Sequence, residues 1–337
     1  YAFSRNPKRA LQEARETIAS CIGASPEEII FTSGGTESDN WAIKSAVSSC
    51  EKNKRIITSA FEHHAVLYSF TTMERYGCQA EYLQPDCNGE VTVEELSRRV
   101  KDGTSFVSIM LANNEIGSIQ PIKALCEYAH SQGALFHTDA VQAVGHIKID
   151  VKELDIDFLS ASAHKFNGIK GCGFLYIRKG CRLLPYMDGG AQEFGNRAGT
   201  ENISGIICMA TALKNNCRCL KENQERIKDL EGCLLKGLSE EGIEYVRNGG
   251  ENTLPGLISL SFPGADGEAI LHRMDLMGIC VSTGSACNSK DTEISHVLKA
   301  IGLEEKLARG TIRISLGKNN TLEDVEKIVS ALKKILK

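Results

Sequence analysis

Hydrophobic positions along this chain switch between two periods, and each switch predicts a change of element. After Asn6-Pro7, in KRALQEARETIASCIG, the residues Leu11, Ala14, Ile18 and Ile22 share one face at helical spacing, with Pro7 in the first turn and Gly23 at the end. The next run, Glu28-Ile29-Ile30-Phe31, is short and continuously apolar, the pattern of a buried strand. It leads through Ser33-Gly34-Gly35-Thr36-Glu37 into SDNWAIKSAV, where helical spacing returns.

The unit of strand, turn and helix recurs. Further strands are predicted at Arg55 to Ser59, Phe106 to Leu111, Ala134 to Asp139, Phe158 to Ser162 and Gly173 to Ile177, with helices near 64–76, 93–100 and 121–131. Such alternation predicts an α/β fold with a mostly parallel sheet covered by helices on both faces. From Asn202 one long polar helical stretch runs through KNNCRCLKENQERIKDLEG, as a connection to a second domain would. Beyond it the pattern predicts strands at Leu257 to Phe262, Ile279 to Ser282 and Thr311 to Leu316, a helix at Gly267 to Met277, and a last helix opened by the capping box Thr321-Leu322-Glu323-Asp324. The expected organisation is a large domain over 1–222 and a smaller C-terminal α+β domain over 223–337.

Composition narrows the classes of function. A length of 337 residues suits roughly two domains. The 39 Lys plus Arg against 43 Asp plus Glu give a net charge of −4 with no basic block, so nucleic acid is not an expected partner. No apolar run approaches the ~20 residues that span a bilayer, and the first residues form neither a signal nor a lipidation motif, so no membrane is expected. Thirteen cysteines, an odd number with no metal-type C-x-x-C pair, predict no metal site and a reducing cytoplasmic home. Cys126, Cys172, Cys208 and Cys280 read as small core residues. The chain opens without Met, close to its first helix, and is expected to be a fragment or the ordered part of something longer.

In open α/β sheets ligands bind beyond the carboxyl ends of the strands. The residues there are Gly34-Gly35-Thr36, Glu62-His63-His64, Asn113-Asn114-Glu115, Asp139-Ala140-Val141-Gln142 and Ser162-Ala163-His164-Lys165. A Gly-Gly-Thr turn opening a helix can cradle phosphate on backbone N–H groups, although alone it is more often just a turn. The spacing of a P-loop or dinucleotide fingerprint is absent. A phosphate cradle with an Asp and a Lys at neighbouring strand ends suits pyridoxal phosphate, the Lys forming a Schiff base and the Asp pairing with the pyridine nitrogen. Singly, Lys165 reads equally as a snorkelling side chain and Asp139 as a helix cap.

Seven motifs in order carry a more specific signal: TSGGTESDN, EHHAVL, NNEIG, HTDAVQAVG, SAHKFNGIKG, RAGTEN and VSTGSACNSKDTEISHVLKAIG. Together they resemble a cysteine desulfurase of the NifS/IscS type, within the class V aminotransferase-like, fold-type I enzymes that use pyridoxal phosphate. The resemblance implies a large domain with a seven-stranded type of sheet and runs from the first helix to about Leu316. The family's amino-terminal D-x-[AN]-A-T-T-like segment is expected to be missing here. Carried over by motif, the resemblance implies that Lys165 holds the cofactor covalently, Asp139 binds its ring nitrogen, Gln142 its phenolic oxygen, and His63 stacks on the ring. Gly35, Thr36, Ser162 and His164 would bind the phosphate, joined by Thr200 from a second subunit, which implies a homodimer. Asn114 would stand at the cofactor and, with Arg313, hold the carboxylate of L-cysteine. His64 receives no role. After the lysine, Asn167-Gly168-Ile169 stands where the family has a Gly-Pro turn, which predicts a looser turn.

Cys287 differs from the other cysteines because it lies in Ser282-Thr283-Gly284-Ser285-Ala286-Cys287-Asn288-Ser289-Lys290, small and polar residues that predict a loop. The resemblance implies that its thiolate takes sulfur from L-cysteine as a persulfide, leaving L-alanine, with His63 moving the proton. It also implies delivery to an acceptor such as an iron–sulfur scaffold or a thiolation relay. The rivals are a selenocysteine lyase or another β-eliminating enzyme of the same fold, and, from another class, a non-catalytic sulfur carrier or scaffold.

Overall fold

The structure is a computed structural model that describes residues 2–48, 54–284 and 294–337. It divides into two compact units. Unit 1 comprises Tyr1–Leu83, Val91–Leu111 and Gln120–Leu220. Unit 2 comprises Gln84–Glu90, Ala112–Ile119 and Lys221–Lys337, so it takes in two short stretches from the first half of the chain that a division after residue 222 leaves out.

Unit 1 is built on a seven-stranded sheet with the order β1-β7-β6-β5-β4-β2-β3. Its strands are β1 (Ile29–Thr32), β2 (Arg55–Ser59), β3 (Gln79–Leu83), β4 (Thr104–Ser108), β5 (Leu135–Asp139), β6 (Phe158–Ser162) and β7 (Gly173–Ile177). Only β7 runs against the others, pairing antiparallel with both β1 and β6, so the sheet is mostly parallel as the pattern predicts. The helices are α1 (Arg5–Ile22), α2 (Gly35–Ser48), α3 (His64–Arg75), α4 (Val93–Arg99), α5 (Ile122–Ser131) and α6 (Ile203–Arg218). Strands buried on both faces explain the near-continuous apolar runs. One core cluster packs Trp41, Ile43 and Val47 of α2 and Phe70 of α3 against Ile56, Phe106 and Phe158. Gly23, at φ 74°, ends α1 in the left-handed conformation expected of it.

Unit 2 carries a three-stranded antiparallel sheet, β10-β9-β8, from β8 (Val246–Asn248), β9 (Leu257–Ser261) and β10 (Thr311–Ser315). Its helices are α7 (Leu220–Glu240), α8 (Gly267–Asp275), α9 (His296–Ala300), α10 (Glu305–Ala308) and α11 (Leu322–Leu336). Leu234, Leu238, Ile258, Leu260, Ile312 and Leu332 form its core. The capping box at Thr321 is present, with the Asp324 amide donating to Oγ1 and the Thr321 amide donating to Asp324 Oδ2.

Four expectations change. β3 and β8 escape the pattern because each is an edge strand, paired on one side only, with polar residues in Gln79–Leu83 and in the three residues of β8. The long helix from Asn202 is two helices, interrupted at Cys219. The stretch Ile279 to Ser282 is no strand; Ser282 forms an isolated bridge with Arg313, and the Ile279 amide donates to the Met274 carbonyl of α8. There Ile279 and Val281 pack on the core while Cys280 between them is exposed, since alternation sends it outward. Cys208 is also exposed: α6 buries Ile206, Met209, Ala210 and Leu213, and Cys208 lies off that stripe.

Candidate active site

The strand ends of unit 1 gather the residues that the sequence singles out. Asp139 closes β5 and is buried, and its Oδ1 accepts a 2.9 Å hydrogen bond from the Val141 amide. Burial pushes its carboxyl up to about 6, while the Val141 bond and the nearby Lys165 charge act in the opposite direction. The turn after Asp139 brings Gln142 to the site, where its buried Oε1 has no hydrogen-bond partner. An orphaned amide oxygen three residues after a buried carboxyl is a feature that a polar ligand would complete.

Ser162 ends β6, beside β5 in the sheet, and its Oγ lies 3.0 Å from His164 Nδ1. On the other side of β7, α2 opens at Gly35. A Cβ there would come within 2.4 Å of Val141 Cγ2 and within 3.7 Å of Ser162 Cβ, so only glycine lets the helix start settle against both strand-end turns. Ser162, His164, and the Gly35 and Thr36 amides at the positive end of α2 therefore lie together. They suit a dianionic phosphate.

Lys165 follows in the turn Ala163–Phe166 and is exposed. The turn after it is held without a proline. Asn167 adopts φ 68°, the Gly168 amide donates to Ala163 O at 2.8 Å, and Asn216 Nδ2 of α6 donates to Phe166 O at 3.0 Å. His146 Nε2 lies 2.8 Å from the Lys165 carbonyl. The predicted loosening is offset by these side chains.

His63 caps α3. Its Nδ1 accepts from the Ala65 amide at 3.1 Å, so the proton of the neutral ring sits on Nε2. Burial, with His64 and Lys165 nearby, lowers the tendency of this ring to become charged. His63 thus keeps one nitrogen for proton exchange. Thr200 is exposed and follows Arg197, whose Nε pairs with Glu37 Oε1 at 2.8 Å. The preceding turn is tied down by a buried bidentate pair between Arg15 and Glu193, with Arg15 Nη2 2.7 Å from Glu193 Oε1.

Unit 2 holds the other two residues. Arg313 on β10 donates through Nη1 to the Asn114 carbonyl at 2.8 Å, and its buried Nε has no partner. Beside it Glu115 is buried, pushed up to about 7 by that burial against the opposing effects of Ser295 and Arg313; Ser295 Oγ donates to Glu115 Oε2 at 2.5 Å. Cys287 falls in residues 285–293, outside the described residues.

Sequence reading gave no role to Glu62, Asp39 or His137, all buried next to Asp139, nor to Glu115. A signal existed for Glu62 and Glu115, which are strand-end polar residues. Asp39 and His137 carry none, because a polar residue inside a helix or strand declares nothing about its neighbours.

A family model described as aminotransferase class-V matches residues 1–328. The chain is 44% identical over 341 residues to the "Cysteine desulfurase IscS" of Clostridium botulinum, covering 100% of this chain and 86% of that protein. Among solved structures, a "NIFS-LIKE PROTEIN" superposes with a TM-score of 0.92 at 38% identity, covering 98% of this chain and 88% of that one. The structure described as "SspA in complex with cysteine" gives 0.84 at 34% identity, covering 95% and 90%. Matched over nearly its whole length, the chain belongs to the aminotransferase class-V family, among the cysteine desulfurases of NifS/IscS type.

Proposed function

We infer that this protein removes sulfur from L-cysteine with pyridoxal phosphate, giving L-alanine and a persulfide on Cys287. The observation that carries the cofactor assignment is the buried, unpartnered Gln142 Oε1 beside Asp139, with a phosphate cradle at Gly35, Thr36, Ser162 and His164 next to Lys165. The residues present fit the group. When bound, pyridoxal phosphate withdraws electrons from the α-carbon of an amino acid.

The chain's own groups divide the remaining work. Asp139 would hold the ring nitrogen and favour its protonated form. Gln142 would bind the phenolic oxygen, and His63 would stack on the ring. The Lys165 amine would hold the cofactor covalently and, as the free amine, serve as the base for the α-proton. Arg313, with Asn114, clamps the substrate carboxylate; its unpartnered Nε is a donor in waiting. The Cys287 thiolate attacks the substrate sulfur: an S–S bond forms, the Cβ–S bond breaks with its electron pair left on carbon, and Cβ takes up one proton to become the methyl group of alanine. His63 Nε2 handles the proton at sulfur. The acceptor read from the motifs is an iron–sulfur scaffold or thiolation protein, and Thr200 of the partner subunit would complete the phosphate site in a homodimer. Among the described residues no helix is long and apolar enough to cross a membrane.

One paired experiment tests this reading. Cys287→Ala is expected to keep the cofactor's visible absorbance while alanine and sulfide production from L-cysteine falls roughly 10²–10⁴-fold, the usual scale for loss of a reacting group. Lys165→Ala is expected to lose the absorbance as well. Full turnover by Cys287→Ala, or an unchanged spectrum in Lys165→Ala, defeats the assignment.

A further inference from the structure

Around Asp139 lies a set of buried ionisable groups that the proposed reaction does not use. Glu62 is fully buried between β2 and α3, Asp39 of α2 is 1% exposed, and His137, two residues before Asp139 on β5, is fully buried. Glu62 Oε1 accepts from Ser59 Oγ at 2.6 Å and from the Met110 amide at 2.8 Å. The next amide, Leu111, donates to the Asp139 carbonyl at 2.8 Å, which ties Glu62 to the strand end that carries Asp139. His137 is wedged between Ser108, 2.8 Å from Nδ1, and Ser160, 2.9 Å from Nε2. Ser160 pairs with Asp139 across β5 and β6, and Asp39 Oδ1 lies 3.7 Å from His137 Nε2.

Three carboxyls in one buried cluster cannot all ionise, because each unpaired buried charge costs several kcal/mol. We infer that Glu62 is a positioning residue that stays a neutral acid in the folded protein, leaving the negative charge of the Asp39, Glu62 and Asp139 set on Asp139, the residue that would pair with a ring nitrogen.

The groups facing Glu62 support this. Besides the Ser59 and Met110 donors these are Asp39 from α2 and Asp139 from β5, with His63 next in the chain. Burial pushes Glu62 up to about 8 against its two hydrogen bonds, and Asp139 adds to the rise. Burial also holds Asp39 well above its usual range and His137 at about 3, so the imidazole supplies no countercharge. Of the three acids, Asp139 alone has the Lys165 cation acting to hold it ionised. A neutral Glu62 fixes the residue before His63 while leaving one anion to pair with a protonated ring.

The functional meaning rests on the cofactor reading above, but the primary tests do not. A carboxyl raised from 4.5 to about 8 stabilises the fold fully below its unfolded value and loses that contribution as pH climbs to the folded one. The unfolding constant of wild type relative to Glu62→Gln should therefore rise roughly tenfold per pH unit between about pH 5 and 8 and then level off. An infrared difference between the two proteins at pH 7 should show a carboxylic-acid band that Gln removes. A flat ratio, or a carboxylate band at pH 7, overturns the inference. Should Glu62→Gln not fold, wild type carrying carbon-13 glutamate decides: a glutamic-acid band fading near pH 8 supports it, and none above pH 7.5 overturns it. With pyridoxal phosphate bound, Glu62→Ala should release the cofactor on the order of tenfold faster and Gln should restore retention, about 1.4 kcal/mol by the tenfold rule. A protein that never binds the cofactor sinks only the functional reading.

Discussion

The two ends of strands β5 and β6 hold polar clusters of similar make-up and opposite condition. At the carboxyl end stand Asp139, Gln142, Ser162 and Lys165. At the amino end, His130 is gripped between Asp155 Oδ2 at 3.0 Å from Nδ1 and Asp157 Oδ2 at 2.8 Å from Nε2. Arg178 joins them, donating to Asp155 Oδ1 at 2.7 Å, and Asp157 also accepts from the Phe136 amide at 2.8 Å. Cys126 Sγ donates to the Asp155 carbonyl at 3.1 Å. The titratable groups of this cluster have protein partners, and no orphaned atom occurs there among the described residues. At the other end Gln142 Oε1 has no partner, and a phosphate cradle and an exposed lysine lie beside it. A histidine, two carboxylates, an arginine and a thiol look more like chemistry in a residue count than Asp139 and Gln142 do. Hydrogen-bond accounting reverses that ranking. A cluster closed on itself stabilises the fold, whereas one with missing partners awaits a ligand.

Breaking each cluster should expose the difference. Asp157→Ala removes one of the two carboxylate partners of His130 and the acceptor of the Phe136 amide, and strips Arg178 of its buried partner. It is expected to lower unfolding free energy by roughly 3–5 kcal/mol in denaturant titration while the folded fraction keeps its cofactor absorbance. Loss of cofactor binding without loss of stability would reverse the assignment of the two ends. Gln142→Ala is expected to weaken cofactor retention roughly fivefold, about 1 kcal/mol for one hydrogen bond, with cofactor-free stability unchanged, as equilibrium dialysis beside thermal melts would reveal. Asp155→Asn should matter least. Burial would raise this acid, but His130 and Arg178 together hold it below its usual range. Because its side chain is 49% exposed, the pair with Arg178 is screened by solvent and contributes under about 1 kcal/mol. A loss as large as that of Asp157→Ala would show that the cluster acts as a unit.

Legibility in the sequence followed burial and periodicity. β2, β6 and β7 are delimited by their apolar runs, and the Thr321 box marks the start of α11, because those signals are local. β3 and β8 are short polar edges and carry too little apolar residue to show a period. Cys208 and Cys280 resemble core cysteines in an apolar neighbourhood, yet which side of the element they occupy depends on the packing partner. In the site, Asp139, Ser162 and Lys165 are readable because strand ends collect function. Asp39 and His137 are not, since their meaning lies in side chains more than twenty residues away.

From the sequence alone came most of the elements in their order, the residue types at each strand end and the seven motifs. The elements follow from local period, and the family from the resemblance those motifs carry. The tertiary structure alone decided which polar groups find partners. It closed the His130 cluster, left Gln142 Oε1 open beside Asp139, and crowded Glu62 and Asp39 against the same acid. The reason is that a hydrogen bond or a buried charge is a property of two groups and their shared dielectric, and a linear sequence names each group without saying which others will share its surroundings.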